Sequence, residues 1–180
     1  MAVLAADGRV EVNLLSSQVA AHAPYGGGVP ELASREHLRA LPLLARRALD
    51  SVDGTVELVA VTTGPGLGGA LLVGVRFAAA YAWGGNLPLV GVDHLEGHLH
   101  SVFLEPDPPP FPFVALLASG GHTSIYHVTG YAGFERMGQT LDDAAGEAYD
   151  KVAQLLGLGY PGGPAIDQVA AAGNPGRIRF

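Results

Sequence analysis

Hydrophobic and polar positions along the chain alternate between a period of two and a period near 3.6, and this alternation divides the sequence into strands and helices. Ala2–Ala5 and Val10–Leu15 read as two short strands joined at Asp7-Gly8, a tight hairpin signal. The glycines and prolines between Ala23 and Pro30 form a loop, with Pro30 suited to a first helical turn. From Glu31 to Asp50, Leu32, Leu38, Leu41, Leu44, Ala45, Ala48 and Leu49 recur at helical spacing with arginines between them, which predicts an amphipathic helix.

The apolar, β-branched stretch Glu57–Thr63 predicts a buried strand, followed by the glycine loop Gly64–Gly69 and a small-residue helix over Ala70–Trp83. A second buried strand over Leu87–Val92 leads into a helix that ends before Glu105. The prolines in 105–112 exclude both helix and central strand, so this connector is the expected internal boundary of an otherwise single, incomplete α/β region spanning 1–180. Phe113–Ala118 and Ser124–Thr129 then flank a polar turn as a hairpin. A helix over Leu141–Leu156, a turn at Gly159–Pro164 and a last helix over Ala165–Ala172, carrying Asp167, complete the pattern.

Composition narrows the function classes. With 48% hydrophobic residues over 180 positions, the chain can bury a sizeable core as one domain or a large piece of one. Cysteine is absent, which removes disulfides and thiolate metal sites and leaves histidine, carboxylate and carbonyl oxygen as metal ligands. A formal charge of −7 argues against broad nucleic-acid binding by this chain alone. No leader and no membrane-length apolar run are visible, so the chain reads as cytoplasmic, with no membrane contact.

Four stretches carry candidate chemistry. In His94-Leu95-Glu96-Gly97-His98 the two imidazoles stand four residues apart and leave one helical face, which makes them either half of a metal site or a solvated or core-capping pair. Glu96 lies about 200° around the helix from His94 and is badly placed as a base there. His100 also faces away from the pair and is expected at the surface. The glycine loop 64–69 is either an anion cradle or a tight turn; it lacks the lysine and hydroxyl of a P-loop. The turn Ser119-Gly120-Gly121-His122-Thr123 is either a phosphate-binding tip or an ordinary hairpin end. Asp143, Glu147 and Asp150 fall on one face of the expected helix, where a cation, a ligand's hydroxyls or Lys151 would relieve their repulsion.

Taken together, Tyr25-Gly26-Gly27 with Val29-Pro30-Glu31-Leu32-Ala33-Ser34-Arg35, Thr63-Gly64-Pro65-Gly66-Leu67, His94-Leu95-Glu96-Gly97-His98, Ser119-Gly120-Gly121-His122-Thr123, the run from Asp142 to Lys151, and Tyr160-Pro161-Gly162-Gly163-Pro164 resemble, in order, the TsaD-like tRNA threonylcarbamoyladenosine transferases, formerly labelled O-sialoglycoprotein endopeptidases. The resemblance implies the actin/Hsp70/sugar-kinase (RNase H-like) fold, of which this chain would be the first lobe only. It implies transfer of a threonylcarbamoyl group from threonylcarbamoyl-adenylate to N6 of the adenosine beside the anticodon, in tRNAs reading codons that begin with A. It makes His94 and His98 ligands of one divalent metal ion, Fe2+ foremost, with zinc or magnesium as alternatives. Leu117, Ala118, Ser119, Gly120, Gly121, Asp150, Gly163 and Asp167 become substrate-binding residues. No residue is assigned as an acid, base or nucleophile. The implied partners are tRNA and, in a bacterium, a TsaB-like paralogue and a small TsaE-like ATPase.

Family members start with a further strand bearing a Thr-Ser-Cys-type motif. They continue into a second lobe that supplies a nucleotide-binding asparagine and a metal-binding aspartate. By that resemblance this chain is expected to be a segment truncated at both ends, and the alternatives to an active transferase are an inactive fragment, a carbamoyltransferase of related fold with a non-tRNA acceptor, or a non-catalytic scaffold. Exposed apolar surface is expected, and the 31–50 helix is the expected face for the paralogue.

Overall fold

The computed structural model describes residues 1–179. These form two compact units, Met1–His22 with Gly28–Glu96 and Ala23–Gly27 with Gly97 onward. The division falls inside the helix that carries the histidine pair, and the proline-rich connector 105–112 lies wholly in the second unit.

In the first unit, β1 (Ala2–Leu4) and β2 (Val10–Asn13) pair antiparallel, with Gly8 at φ 84° in the turn that its missing Cβ permits. A one-turn helix, α1 (Val19–His22), was not expected from the sequence. The amphipathic segment forms α2 (Pro30–Leu49) with Pro30 at its first position, and it continues through Pro42. Pairs at helical spacing, Glu31–Arg35 at 2.6 Å and Glu36–Arg39 at 2.8 Å, line its exposed side. Next, β3 (Val59–Gly64) pairs in parallel with β4 (Leu89–Asp93), and α3 (Gly68–Gly85) is the crossover between them. Asn86 ends α3 in the left-handed conformation, at φ 51°.

The helix layer packs closely because its contact residues are small. Ala33, Ala48, Ala78 and Ala82 are buried in α2 and α3, and a Cβ on Gly69 would collide with Ser34 Oγ. Leu38, Leu43, Leu72 and Trp83 remain exposed on the same helices.

The part of α4 (His94–His100) that belongs to the second unit, from Gly97, passes into a short 3-10 segment, Ser101–Leu104. An antiparallel sheet follows in the order β5 (Phe113–Ala118), β6 (Thr123–Gly130), β7 (Gly133–Gln139). The sequence pattern did not reveal β7. One sheet face buries Leu117, Tyr126 and Val128, while Val114, Leu116 and Ile125 of the other face are exposed. Two helices complete the unit, α5 (Ala145–Leu155) and α6 (Gly162–Ala170). Both differ from expectation at their starts. α5 begins at Ala145, not Leu141, so Asp142 and Asp143 precede the helix, and α6 begins at Gly162, not Ala165. Among the described residues, no helix is long and apolar enough to cross a membrane.

Candidate functional site

The histidine pair sits where β4 hands over to α4. Asp93, the last residue of β4, accepts the backbone N–H groups of Leu95 at 2.8 Å and Glu96 at 3.2 Å, and so caps the helix that follows. His94 and His98 are both exposed and lie about 40° apart around the helix axis, as spacing of four requires. Imidazole nitrogens at this spacing fit a divalent transition metal in type and direction. They supply two donors, and no group of three or more candidate ligands occurs among the described residues.

His100 departs from its expected place at the surface. Its Nε2–H donates to the Tyr131 carbonyl at 2.9 Å, and its ring meets Phe134 edge-on at 5.6 Å between centroids. Phe103, Phe111, Phe113 and Tyr131 extend this into an aromatic cluster, with Phe103 and Tyr131 centroids 4.9 Å apart. Phe103, Phe111 and Phe113, which flank the proline-rich connector, were the available signal for this cluster.

The glycine loop between β3 and α3 has a packing account at its helical end, where Gly69 lies against Ser34. Behind it, Gly91 of β4 admits Thr63, whose methyl would be 2.8 Å from any Cβ at that position. Both observations favour the tight-turn alternative over the anion cradle at these positions.

The hairpin tip, α5 and α6 are joined by a succession of helix caps. Within the tip, Ser119 N–H donates to the His122 carbonyl at 2.8 Å, and Ser119 Oγ accepts His122 N–H at 3.1 Å. Ala144 stands at the cap position of α5 without a side-chain oxygen to offer. The hairpin supplies the missing acceptors: Thr123 Oγ1 takes Ala145 N–H at 2.8 Å, and the Ser119 carbonyl takes Gly146 N–H at 3.1 Å. Gly146 is what allows this approach, since a Cβ there would stand 2.7 Å from Ser119 O and 2.8 Å from Gly120. One turn further along α5, Asp150 Oδ1 accepts Gly162 N–H at 2.7 Å and so caps α6. Gly162 is equally confined, since a Cβ there would stand 2.6 Å from the Asp150 Cα.

The expected carboxylate face is therefore not an unrelieved one. Asp143 lies outside the helix, and Lys151 Nζ meets its carboxylate at 2.6 Å and that of Glu147 at 3.1 Å. These hydrogen bonds, to Asp143 first and Glu147 second, hold the Lys151 ammonium above its usual pKa. Asp150 is engaged at the start of α6.

Of the residues expected to bind substrate, all eight belong to the second unit. Leu117 is buried in the sheet, so its side chain serves the core and only its backbone faces elsewhere. Ala118, Gly120 and Gly121 are exposed, and neither glycine has an atom within 4 Å of where a Cβ would stand. Ser119 is half-buried and committed within the tip, Gly163 is half-buried with open space around it, and Asp167 is exposed on α6. The capping residues Thr123 and Gly146 were missed as site residues because their partners lie 22 and 27 positions away in sequence.

Comparison with known proteins identifies the family. The family profile described as TsaD: tRNA N6-adenosine threonylcarbamoyltransferase matches residues 9–180. A protein of Desulforapulum autotrophicum named tRNA N6-adenosine threonylcarbamoyltransferase is 56% identical over 182 residues, covering 99% of this chain and 55% of its own length. Namesakes in Geobacter sp. (strain M21) and Paraburkholderia xenovorans are 52% and 56% identical, with 99% and 91% of this chain covered and 53% and 49% of their own lengths. The chain thus spans about half the length of the curated relatives it matches. Its mixed α/β architecture is consistent with the fold that the motifs imply. With a match running from the first hairpin through both capped helices, the chain belongs to the TsaD family of tRNA N6-adenosine threonylcarbamoyltransferases.

Proposed function

We propose that the protein transfers the threonylcarbamoyl group of threonylcarbamoyl-adenylate to N6 of the adenosine beside the anticodon in tRNAs reading codons that begin with A. The observation that carries this reading is the family match across residues 9–180, which takes in every candidate site segment. Gly120 and Gly121 are exposed at the hairpin tip, and backbone amides of such a tip are suited to a phosphate oxygen. Leu117, Ala118 and Ser119 shape the strand end behind them, and Asp150, Gly163 and Asp167 border the ligand from the two helices. The adenosine N6 attacks the carbamoyl carbon; a C–N bond forms, the bond from that carbon to the phosphate oxygen breaks, AMP leaves and N6 gives up a proton.

His94 and His98 would hold the divalent ion as neutral imidazoles, Fe2+ foremost and zinc or magnesium as alternatives. When bound, such an ion supplies Lewis acidity toward a carbonyl oxygen. The chain's acidic balance, −7, leaves much of the tRNA backbone to be met by a partner. A TsaB-like paralogue seated on the α2–α3 face and a TsaE-like ATPase fit that requirement. A cytoplasmic location follows from a tRNA substrate.

Three single variants in the whole gene product test this reading. His94→Ala and His98→Ala are each expected to abolish metal retention and threonylcarbamoyl-adenosine formation, because one remaining imidazole leaves too few ligands. His100→Ala is expected to keep the metal but melt earlier, having lost the Tyr131 bond and the Phe134 contact. Metal analysis, nucleoside mass spectrometry and thermal melts read the three effects. Full metal and product in His94→Ala would sink the ligand assignment.

A further inference from the structure

We propose that Thr123 is a positioning residue for the adenylate: capping α5 from the hairpin, it holds the Ser119–Gly121 tip in the shape that presents its amides. This rests on the substrate-binding reading of the hairpin given above. Three observations on different atoms converge on it. First, α5 has no cap of its own, because Ala144 offers no side-chain acceptor, and Ala145 N–H turns to Thr123 Oγ1 at 2.8 Å. Second, the backbone carbonyl of the same residue accepts Thr140 N–H at 2.8 Å, so Thr123 ties the exit of β7 and the start of α5 to the first position of β6. Third, the other end of the tip is fixed to the same helix turn by the Ser119 carbonyl and Gly146 N–H, 3.1 Å apart.

The tip is thereby held at both ends against one helix turn. Its two middle residues, Gly120 and Gly121, stay exposed, and a Cβ on either would point into open space. A glycine pair with no side chains would otherwise sample many backbone conformations, and ordering them at the moment of binding would weaken affinity. The hydroxyl of Thr123 removes part of that cost in advance. Its effect on ligand passes through the backbone of the tip, since its oxygen is occupied by Ala145 N–H.

The test compares Thr123→Val, which keeps the shape and removes the acceptor, with Thr123→Ser, which keeps the acceptor. In the whole gene product, calorimetry with a non-hydrolysable threonylcarbamoyl-adenylate analogue is expected to show Thr123→Val binding about tenfold more weakly, the effect of losing one cap. Thr123→Ser is expected to remain within about twofold of the parent. Hydrogen exchange supplies a readout that needs no ligand: peptides covering Ser119–His122 and Ala144–Ala148 should exchange faster in Thr123→Val and at the parent rate in Thr123→Ser, with β5 and β6 amides unchanged. Thr123→Ala makes the same deletion and replaces Thr123→Val if that variant does not fold. Parent-like exchange at the tip in the acceptor-less variant, or parent-like affinity despite faster exchange, would overturn the proposal. A parent protein that binds no analogue would overturn the functional reading instead, and the exchange comparison would still decide the coupling.

Discussion

Gly146 and Gly162 occupy the same kind of place for the same reason: each is the point where a helix start is pressed against the group that caps it. An added methyl at Gly146 meets backbone atoms of Ser119 and Gly120, and at Gly162 it meets the backbone of Tyr149 and Asp150. Backbone cannot swing aside as a side chain can, so Gly146→Ala and Gly162→Ala are each expected to cost about 1–3 kcal/mol. Gly120→Ala, with open space around it, should stay within about 0.5 kcal/mol. Urea unfolding midpoints separate the cases, and a Gly146→Ala variant as stable as the parent would refute the close approach. At this scale the sequence was a partial guide. Histidines spaced by four could be read directly, because helical geometry alone sets their direction. His100 could not, because what holds it is a carbonyl 31 residues away.

Elements whose ends are fixed by their own residues were legible, and those fixed from a distance were not. Pro30 starts α2 as expected, whereas α3 ends at Gly85 before left-handed Asn86, two residues past the expected Trp83. The end of α5 is equally local: Gly157 at φ 69° follows the helix, and Leu158 N–H returns to the Ala153 carbonyl at 2.9 Å. Its start was misplaced by four residues because Asp142 and Asp143 imitate first-turn acids, whereas the true acceptors arrive from Thr123 and Ser119. β7 escaped notice because Gly133, Glu135, Arg136 and Gly138 interrupt any alternation of apolar residues, as an edge strand can tolerate. The α2–α3 face carries a prediction of its own. Leu38, Leu41, Pro42, Leu72 and Phe77 line an apolar groove there, and Leu38 and Leu72 are 62% and 56% exposed. As the proposed seat of the TsaB-like paralogue, it should tolerate Leu38→Asp and Leu72→Asp in the folded protein while losing the partner. Co-elution of the two proteins with either variant at the parent level would remove this face as the seat.

At the scale of the whole molecule, the two units carry different parts of the proposed chemistry. The first unit provides the parallel β3–β4 pair and the strand end from which α4 departs, while the second holds the hairpin tip and the linked caps of α5 and α6. Family membership was legible because six short motifs keep their order along the chain. The physical connections among the last three were not, since they run through backbone groups that any sequence possesses. The central claim is that the tip, α5 and α6 act as one platform for the adenylate. Its most direct test is the hydrogen-exchange footprint of the non-hydrolysable threonylcarbamoyl-adenylate analogue on the whole gene product. The expected result is slowed exchange in peptides spanning Ala118–Gly121, Asp150 and Gly163–Asp167, with α2 unchanged; slowed exchange confined to other segments, with these three unaffected by saturating analogue, would contradict it.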